Sequence, residues 1–316
     1  MEIETKQPRV PSGGRGSPSL ARLATMLGSG ISNQVGAAAG AHAFSAIGPA
    51  GVVAMRQIVA AAVLLPIARP SIRRMTWPQW WPTLLLAVVF ATMNLSLYIA
   101  IDRIGLGLAV TLEFLGPLGV ALASSRTRVH LLAAISAAVG VYVLVLPGPS
   151  SDYVGIGLAL IAAASWAAYI LLNRTVGARL PGLEAPAIAT SLSALLYLPV
   201  VVTLTAQGRL NGLPLFYAIT AGVLSSVVPY AADLIVLRHV PARFFGTFMS
   251  MYPVWAALAG LILLGQVPAI HVWIGIAVIA LSNVVAVAAA HGSEARGVTT
   301  GVSSRPGLAT AGAETC

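Results

Sequence analysis

From Leu23 to Ala290 the chain is a succession of apolar runs broken only by short polar turns. Each run is close to the roughly 20 residues that carry a helix across the hydrocarbon core of a bilayer. Only 9% of the residues are charged and 58% are hydrophobic, whereas a soluble domain carries charge on roughly 25% of its residues. No aqueous fold hides that apolar excess, so lipid is the solvent for most of the chain. An unpaired backbone amide in lipid costs several kcal/mol, which leaves helices or a closed barrel. A barrel strand alternates polar and apolar residues, and these runs do not alternate. The expected fold is therefore an all-α integral membrane protein.

Ten windows qualify as spans, near 23–46, 50–68, 81–101, 106–124, 129–147, 154–173, 184–206, 213–236, 242–264 and 270–290. The basic residues give an independent check, because Lys and Arg accumulate in cytoplasmic loops. With alternate turns assigned to alternate sides, one side holds both termini and fifteen of the eighteen Lys and Arg. The other side holds Arg103 and Arg209, and Arg56 falls inside a span. Ten spans with both termini cytoplasmic follow. Residues 1–22 read as a disordered cytoplasmic arm and 291–316 as a disordered cytoplasmic tail. The formal charge of +9 is scattered between apolar runs rather than gathered on one face, which argues against nucleic acid as a partner.

The two halves are weakly alike. Asp102-Arg103-Ile104 through Glu113-Phe114-Leu115-Gly116-Pro117 is similar to Arg238-His239-Val240 through Met249-Ser250-Met251-Tyr252-Pro253. Both pass from a polar turn into a small-residue helix that meets a proline. The expected units are 23–147 and 154–290, five spans each. Five is odd, so the second copy enters the membrane from the opposite side, and inverted repeats place a substrate site between the halves.

Clear of the span ends, the only Asp, Glu, Lys or Arg within the spans are Glu113, Asp233 and Arg56. Burying such a group costs roughly 2.5–3.5 kcal/mol or more, so it faces a cavity or a partner. Mutual pairing that merely makes Arg56 and an acid tolerable is the structural alternative. Pro117 has no N–H, so the Glu113 carbonyl loses its helical partner. A free carbonyl and a carboxyl at one level make a polar niche, and Gly116 beside it admits a close neighbour. By the same reasoning Pro229 frees the carbonyl of Ser225, and Pro253 that of Met249. Asn94 with Tyr98, Trp166 with Tyr169, and Tyr230 with Asp233 share helix faces by their spacing. These residues and Gln34 are candidate cavity-lining groups, with helix association or interfacial anchoring as the alternative. Gly28, Ser32, Gly36 and Gly40 form a small-residue seam on the first span.

The histidines His42, His130, His239, His271 and His291 fall near span ends or in turns, so no metal site is expected, and no cofactor motif is present. The lone Cys316 has no disulfide partner. The absence of a Walker A sequence points to an ion gradient rather than ATP as the energy source.

Gly105 through Leu122, which contains Leu112-Glu113-Phe114-Leu115-Gly116-Pro117-Leu118, resembles the threonine/homoserine exporter group of the drug/metabolite transporter superfamily, built from two EamA repeats. Met93-Asn94, Trp166 to Ile170, Val228-Pro229-Tyr230 and Phe245 to Met251 extend the resemblance over most of residues 30–290. It implies a ten-helix inner-membrane carrier that exports small amino acids or related metabolites against inward proton flow. The group's intramembrane acids fall on Glu113 and Asp233. Two positions depart from its pattern: Tyr252 stands where relatives carry an acid, and Gly265-Gln266 where they have Gly-Glu. Efflux of a toxic compound or secondary metabolite is the alternative within transport, and an intramembrane enzyme or scaffold lies outside it. The scarcity of paired catalytic groups speaks against an enzyme. Oligomeric state, a homo-oligomer included, stays open.

Overall fold

Polar turns decide where the helices stop, and local hydrogen bonds fix several of those ends. The computed structural model describes residues 20–123, 128–146, 151–177, 179–180, 183–229, 232 and 249–302, and every regular element among them is helical. The first half comprises α1 (Leu20–Ala41), α2 (Phe44–Ala68), a short 3-10 turn (Ile72–Arg74), α3 (Trp77–Ile104), α4 (Leu106–Glu113), α5 (Leu115–Ala123) and α6 (Arg128–Val145). The second comprises α7 (Tyr153–Gly177), α8 (Glu184–Leu196), α9 (Leu198–Ala206), α10 (Gly212–Gly222), a π turn (Val223–Val227), α11 (Tyr252–Leu264) and α12 (Ile270–Val302). Thr76 and Gln79 form a reciprocal capping box at the start of α3, which satisfies amides that the first turn leaves open. Asp152 accepts the Gly155 N–H at 2.9 Å at the start of α7.

Four segments, Phe44–Ala68, Trp77–Ile104, Leu106–Ala123 and Tyr153–Asn173, are long and apolar enough to cross a membrane, and the α8–α9 pair makes a fifth despite a 45° bend. Shorter apolar helices fill Leu131–Val145, Gly212–Val227, Tyr252–Leu264 and Ile270–Ala286. Large apolar side chains such as Leu131, Leu132, Ile135, Val139 and Tyr142 on α6 are exposed, as lipid-facing residues are and soluble surfaces rarely are.

Several boundaries differ from the sequence windows. The first turn falls at His42-Ala43, and Gly48 with its positive φ of 70° then kinks α2 where a boundary was expected. The seventh window is broken at Tyr197, just before Pro199. Pro253 lies in the first turn of α11, after the turn at Ser250-Met251 that follows helical Met249, a position where its missing N–H costs nothing. Helix α12 continues to Val302, beyond the tail boundary expected at residue 291.

The packing exchanges between the halves. Helix α3 packs on α7 as α10 packs on α1, and α3 on α8 as α10 on α2. Helices α4 and α5 meet α7 as α11 meets α1, while α2 with α8, α4 with α11 and α6 with α12 pair across the molecule. The resulting core is dominated by small residues, with Tyr98, Leu106, Leu112 and Ile279 fully buried within it.

Candidate functional site

The break between α4 and α5 places the first functional group. Glu113 ends α4, Phe114 forms the turn, and α5 resumes at Leu115, a break that the missing N–H of Pro117 favours. Gly116 then lets α5 lie against α7: a Cβ there would sit 3.0 Å from the Ala163 carbonyl carbon. The neighbour that Gly116 admits is therefore a helix. Glu113 is 6% exposed, and its carboxyl faces a cavity of about 140 Å³ enclosed by α1, α2, α3, α4, α7 and residues at the start of α11.

Six of the sequence candidates line this cavity: Gln34, Arg56, Asn94, Tyr98, Glu113 and Trp166. The side chain of Asn94 is oriented by a hydrogen bond from its amide to the Phe90 carbonyl at 2.8 Å. Arg56 stacks over the Tyr98 ring, 5.3 Å from the centroid. It does not form an ion pair with an acid of the described residues. Its Nη2 donates to the Ser225 carbonyl at 3.0 Å and its Nε to Ser226 Oγ at 3.0 Å. The Ser225 carbonyl is the one expected to be freed by Pro229. The Tyr98 hydroxyl is buried and has no hydrogen-bond partner among the described residues. An orphaned buried hydroxyl of this kind costs free energy unless a partner reaches it.

Tyr169 turns elsewhere. It packs against Phe90 with ring centroids 5.9 Å apart and belongs to the satellite cluster around Leu86 and Val176. Helix α7 is enclosed by α3 on one side and by α4 and α5 on another, so residues three apart end in different interior environments. Asp233 and Tyr230 lie outside the described residues.

Sequence reasoning did not place Phe114 or Tyr252 in the site. Phe114 packs edge-on to Trp166 at 4.7 Å and tilted to Tyr252 at 5.8 Å, and all three line the cavity. The available signal for Tyr252 was its departure from the resemblance, at a position where relatives carry an acid. The seam on α1 is engaged from Ser32 onward: Ser32 Oγ donates to the Leu224 carbonyl at 2.8 Å, and Gly36 and Gly40 lie against α10 and the π turn. Gly28 meets nothing within 4 Å. Gln266 has a structural role, accepting the Leu106 N–H at 3.0 Å and so capping α4.

The apolar exterior, the broken helices and an ionisable cavity enclosed between them define a multi-pass membrane protein with an internal polar site. Residues 153–288 match the profile of the EamA-like transporter family. A threonine/homoserine exporter, RhtA, of Salmonella typhimurium strain SL1344 is 32% identical over 280 residues, 88% of this chain and 93% of the relative. The protein of the same description from Escherichia coli K12 is 34% identical over 260 residues, 81% of this chain and 88% of that one. The chain belongs to the EamA-like transporter family. A protein crystal structure shares its fold with a TM-score of 0.58 at 20% identity, covering 86% of this chain and 99% of the other.

Proposed function

We propose that this protein is a secondary-active, proton-coupled exporter of small amino acids such as threonine or homoserine, seated in the inner membrane. The observation that carries the proposal is the Glu113 carboxyl, held at a helix break in a cavity between the halves with Arg56 on the same wall. A zwitterion has charges of both signs, and this cavity offers a carboxyl for its ammonium end and a guanidinium field for its carboxylate end. The Tyr98 hydroxyl and the Gln34 amide supply hydrogen bonds nearby. Glu113 binds either a proton or the ammonium group, and that competition at one site couples export to proton entry.

Ten spans in two inverted units, with both termini cytoplasmic, are part of the proposal. The exchange of packing partners between the halves supports it, since a twofold relation maps α3 on α7 onto α10 on α1, and α3 on α8 onto α10 on α2. Alternating access then follows from rocking one half against the other around the shared cavity. The size of the cavity favours a small solute over a bulky toxic compound: about 140 Å³ lies below the roughly 300–1,000 Å³ of pockets that take drug-sized ligands.

The test is efflux of labelled threonine and homoserine from proteoliposomes with an imposed proton gradient. Glu113→Gln is expected to cut proton-driven efflux at least about tenfold, the equivalent of one charge contact of ~1.4 kcal/mol. Full proton-dependent efflux by Glu113→Gln would show the mechanism to be wrong.

A further inference from the structure

The segment following α10 has a hydrogen-bonding deficit that its own helix cannot repair. Val228 N–H reaches back five residues to the Val223 carbonyl, which opens the π turn. The next residue, Pro229, has no N–H to offer. One donor is therefore missing where the register changes, and two carbonyls would compete for it: Ser225, four residues earlier and its partner in α register, and Leu224, five earlier and its partner in π register. An unpaired buried carbonyl is costly, and most so in lipid, where water cannot compensate.

Both carbonyls receive side-chain donors from the other half of the protein. Arg56 Nη2 on α2 donates to the Ser225 carbonyl at 3.0 Å, and Ser32 Oγ on α1 donates to the Leu224 carbonyl at 2.8 Å. Arg56 Nε holds Ser226 Oγ at 3.0 Å with the other arm of its fork. Ser225 Oγ returns a bond to the Asn33 carbonyl at 2.7 Å, so the π turn is braced from two helices at once. Gly36 makes the approach possible, since a Cβ there would lie 2.7 Å from the Ser225 nitrogen.

We infer that Arg56 and Ser32 form an interhelical latch that supplies donors to the two carbonyls left short where the π turn meets Pro229, and that Arg56 serves transport chiefly as a positioning residue. The latch fixes the broken end of α10 against the cavity wall that carries Asn33 and Tyr98, and joins the halves where they must move relative to one another. The word transport here rests on the exporter reading above, whereas the latch itself rests on the hydrogen bonds alone.

Arg56→Lys on the full-length chain separates charge from geometry, because an ammonium keeps the positive charge but cannot reproduce the planar fork that spans the Ser225 carbonyl and Ser226 Oγ. In proteoliposomes its maximal efflux rate for homoserine is expected to fall about tenfold, the scale of one lost hydrogen bond to a charged group. Its KM should stay within about threefold, as for a residue that does not bind substrate directly. Ser32→Ala should act in the same direction and less strongly. Pro229→Ala returns an N–H to α10, so the drop in melting temperature caused by either substitution should shrink by roughly 2 °C or more in the Pro229→Ala background. Ser32→Ala keeps this cycle measurable even where Arg56→Lys fails to accumulate.

Parental transport by Arg56→Lys, a raised KM with unchanged maximal rate, or melting shifts that simply add would overturn the inference. If the parent chain exports no amino acid, the exporter reading fails, while the melting cycle still decides the latch.

Discussion

The carboxylate of Asp152 performs two tasks at the end of a turn. It accepts the Gly155 N–H at 2.9 Å, capping α7, and pairs with Arg103 at 2.9 Å near the C-terminus of α3. The Gly155 amide first, and then the Arg103 guanidinium, hold its carboxyl below the usual Asp range. A carboxyl depressed in the folded state stabilises that state above its unfolded pKa of about 3.9. The contribution is lost as pH falls through the lower folded value. Asp152→Ala is therefore expected to melt at a lower temperature than the parent at pH 7, with the gap closing as pH approaches 3. Asp152→Asn should lose less at pH 7, because an amide oxygen still caps a helix. Thermal melting across that pH range checks both, and a gap that stays constant with pH would refute the charge contribution.

At the scale of elements, the proline breaks were legible because the chemistry is local. A missing N–H at Pro117 or Pro229 identifies the affected carbonyl by counting back four residues, and the structure has α4 end at Glu113 and Arg56 bound to Ser225. Pro253 stands in the same way in the first turn of α11, past a turn at Ser250-Met251 that follows helical Met249. Tyr169 was counted as a cavity-lining candidate and Tyr252 was missed, whereas the cavity is lined by Tyr252 and not by Tyr169. In a helix with interior neighbours on several sides, periodicity finds faces but not which neighbour each face meets, and the convergence of α1, α4 and α11 is long-range. Close helix contact yields a sharper prediction. Gly116→Ala would drive a methyl into the backbone of Ala163, and backbone cannot rotate away, so a loss of about 1–3 kcal/mol is expected. Gly28→Ala meets open space and should gain up to ~1 kcal/mol of helix propensity. Opposite signs in detergent melting are the expected result, and a neutral Gly116→Ala would mean that α5 and α7 are not held in this contact.

For the whole molecule, topology is where charge, helix count and mechanism constrain one another. On the proposed ten-span topology fifteen Lys and Arg fall on one side and two on the other, the asymmetry that sets orientation, and it survives only if the number of crossings is even. Inverted halves require an odd number of crossings in each, so one span missing from or added to the first half would both scatter the charges and make the halves parallel. The protein carries its own reporter of this parity, because Cys316 is its single cysteine. In spheroplasts a membrane-impermeant maleimide should leave the native Cys316 unlabelled until the cells are lysed. In a Cys316→Ser background, Gln207→Cys in the turn after α9 should be labelled from outside, and Ser71→Cys in the turn after α2 only after lysis. Labelling of Cys316 in intact spheroplasts with Ser71→Cys still protected would make the count odd. The twofold exchange of packing partners would then need another explanation, and the site beside Glu113 would no longer lie between two inverted halves.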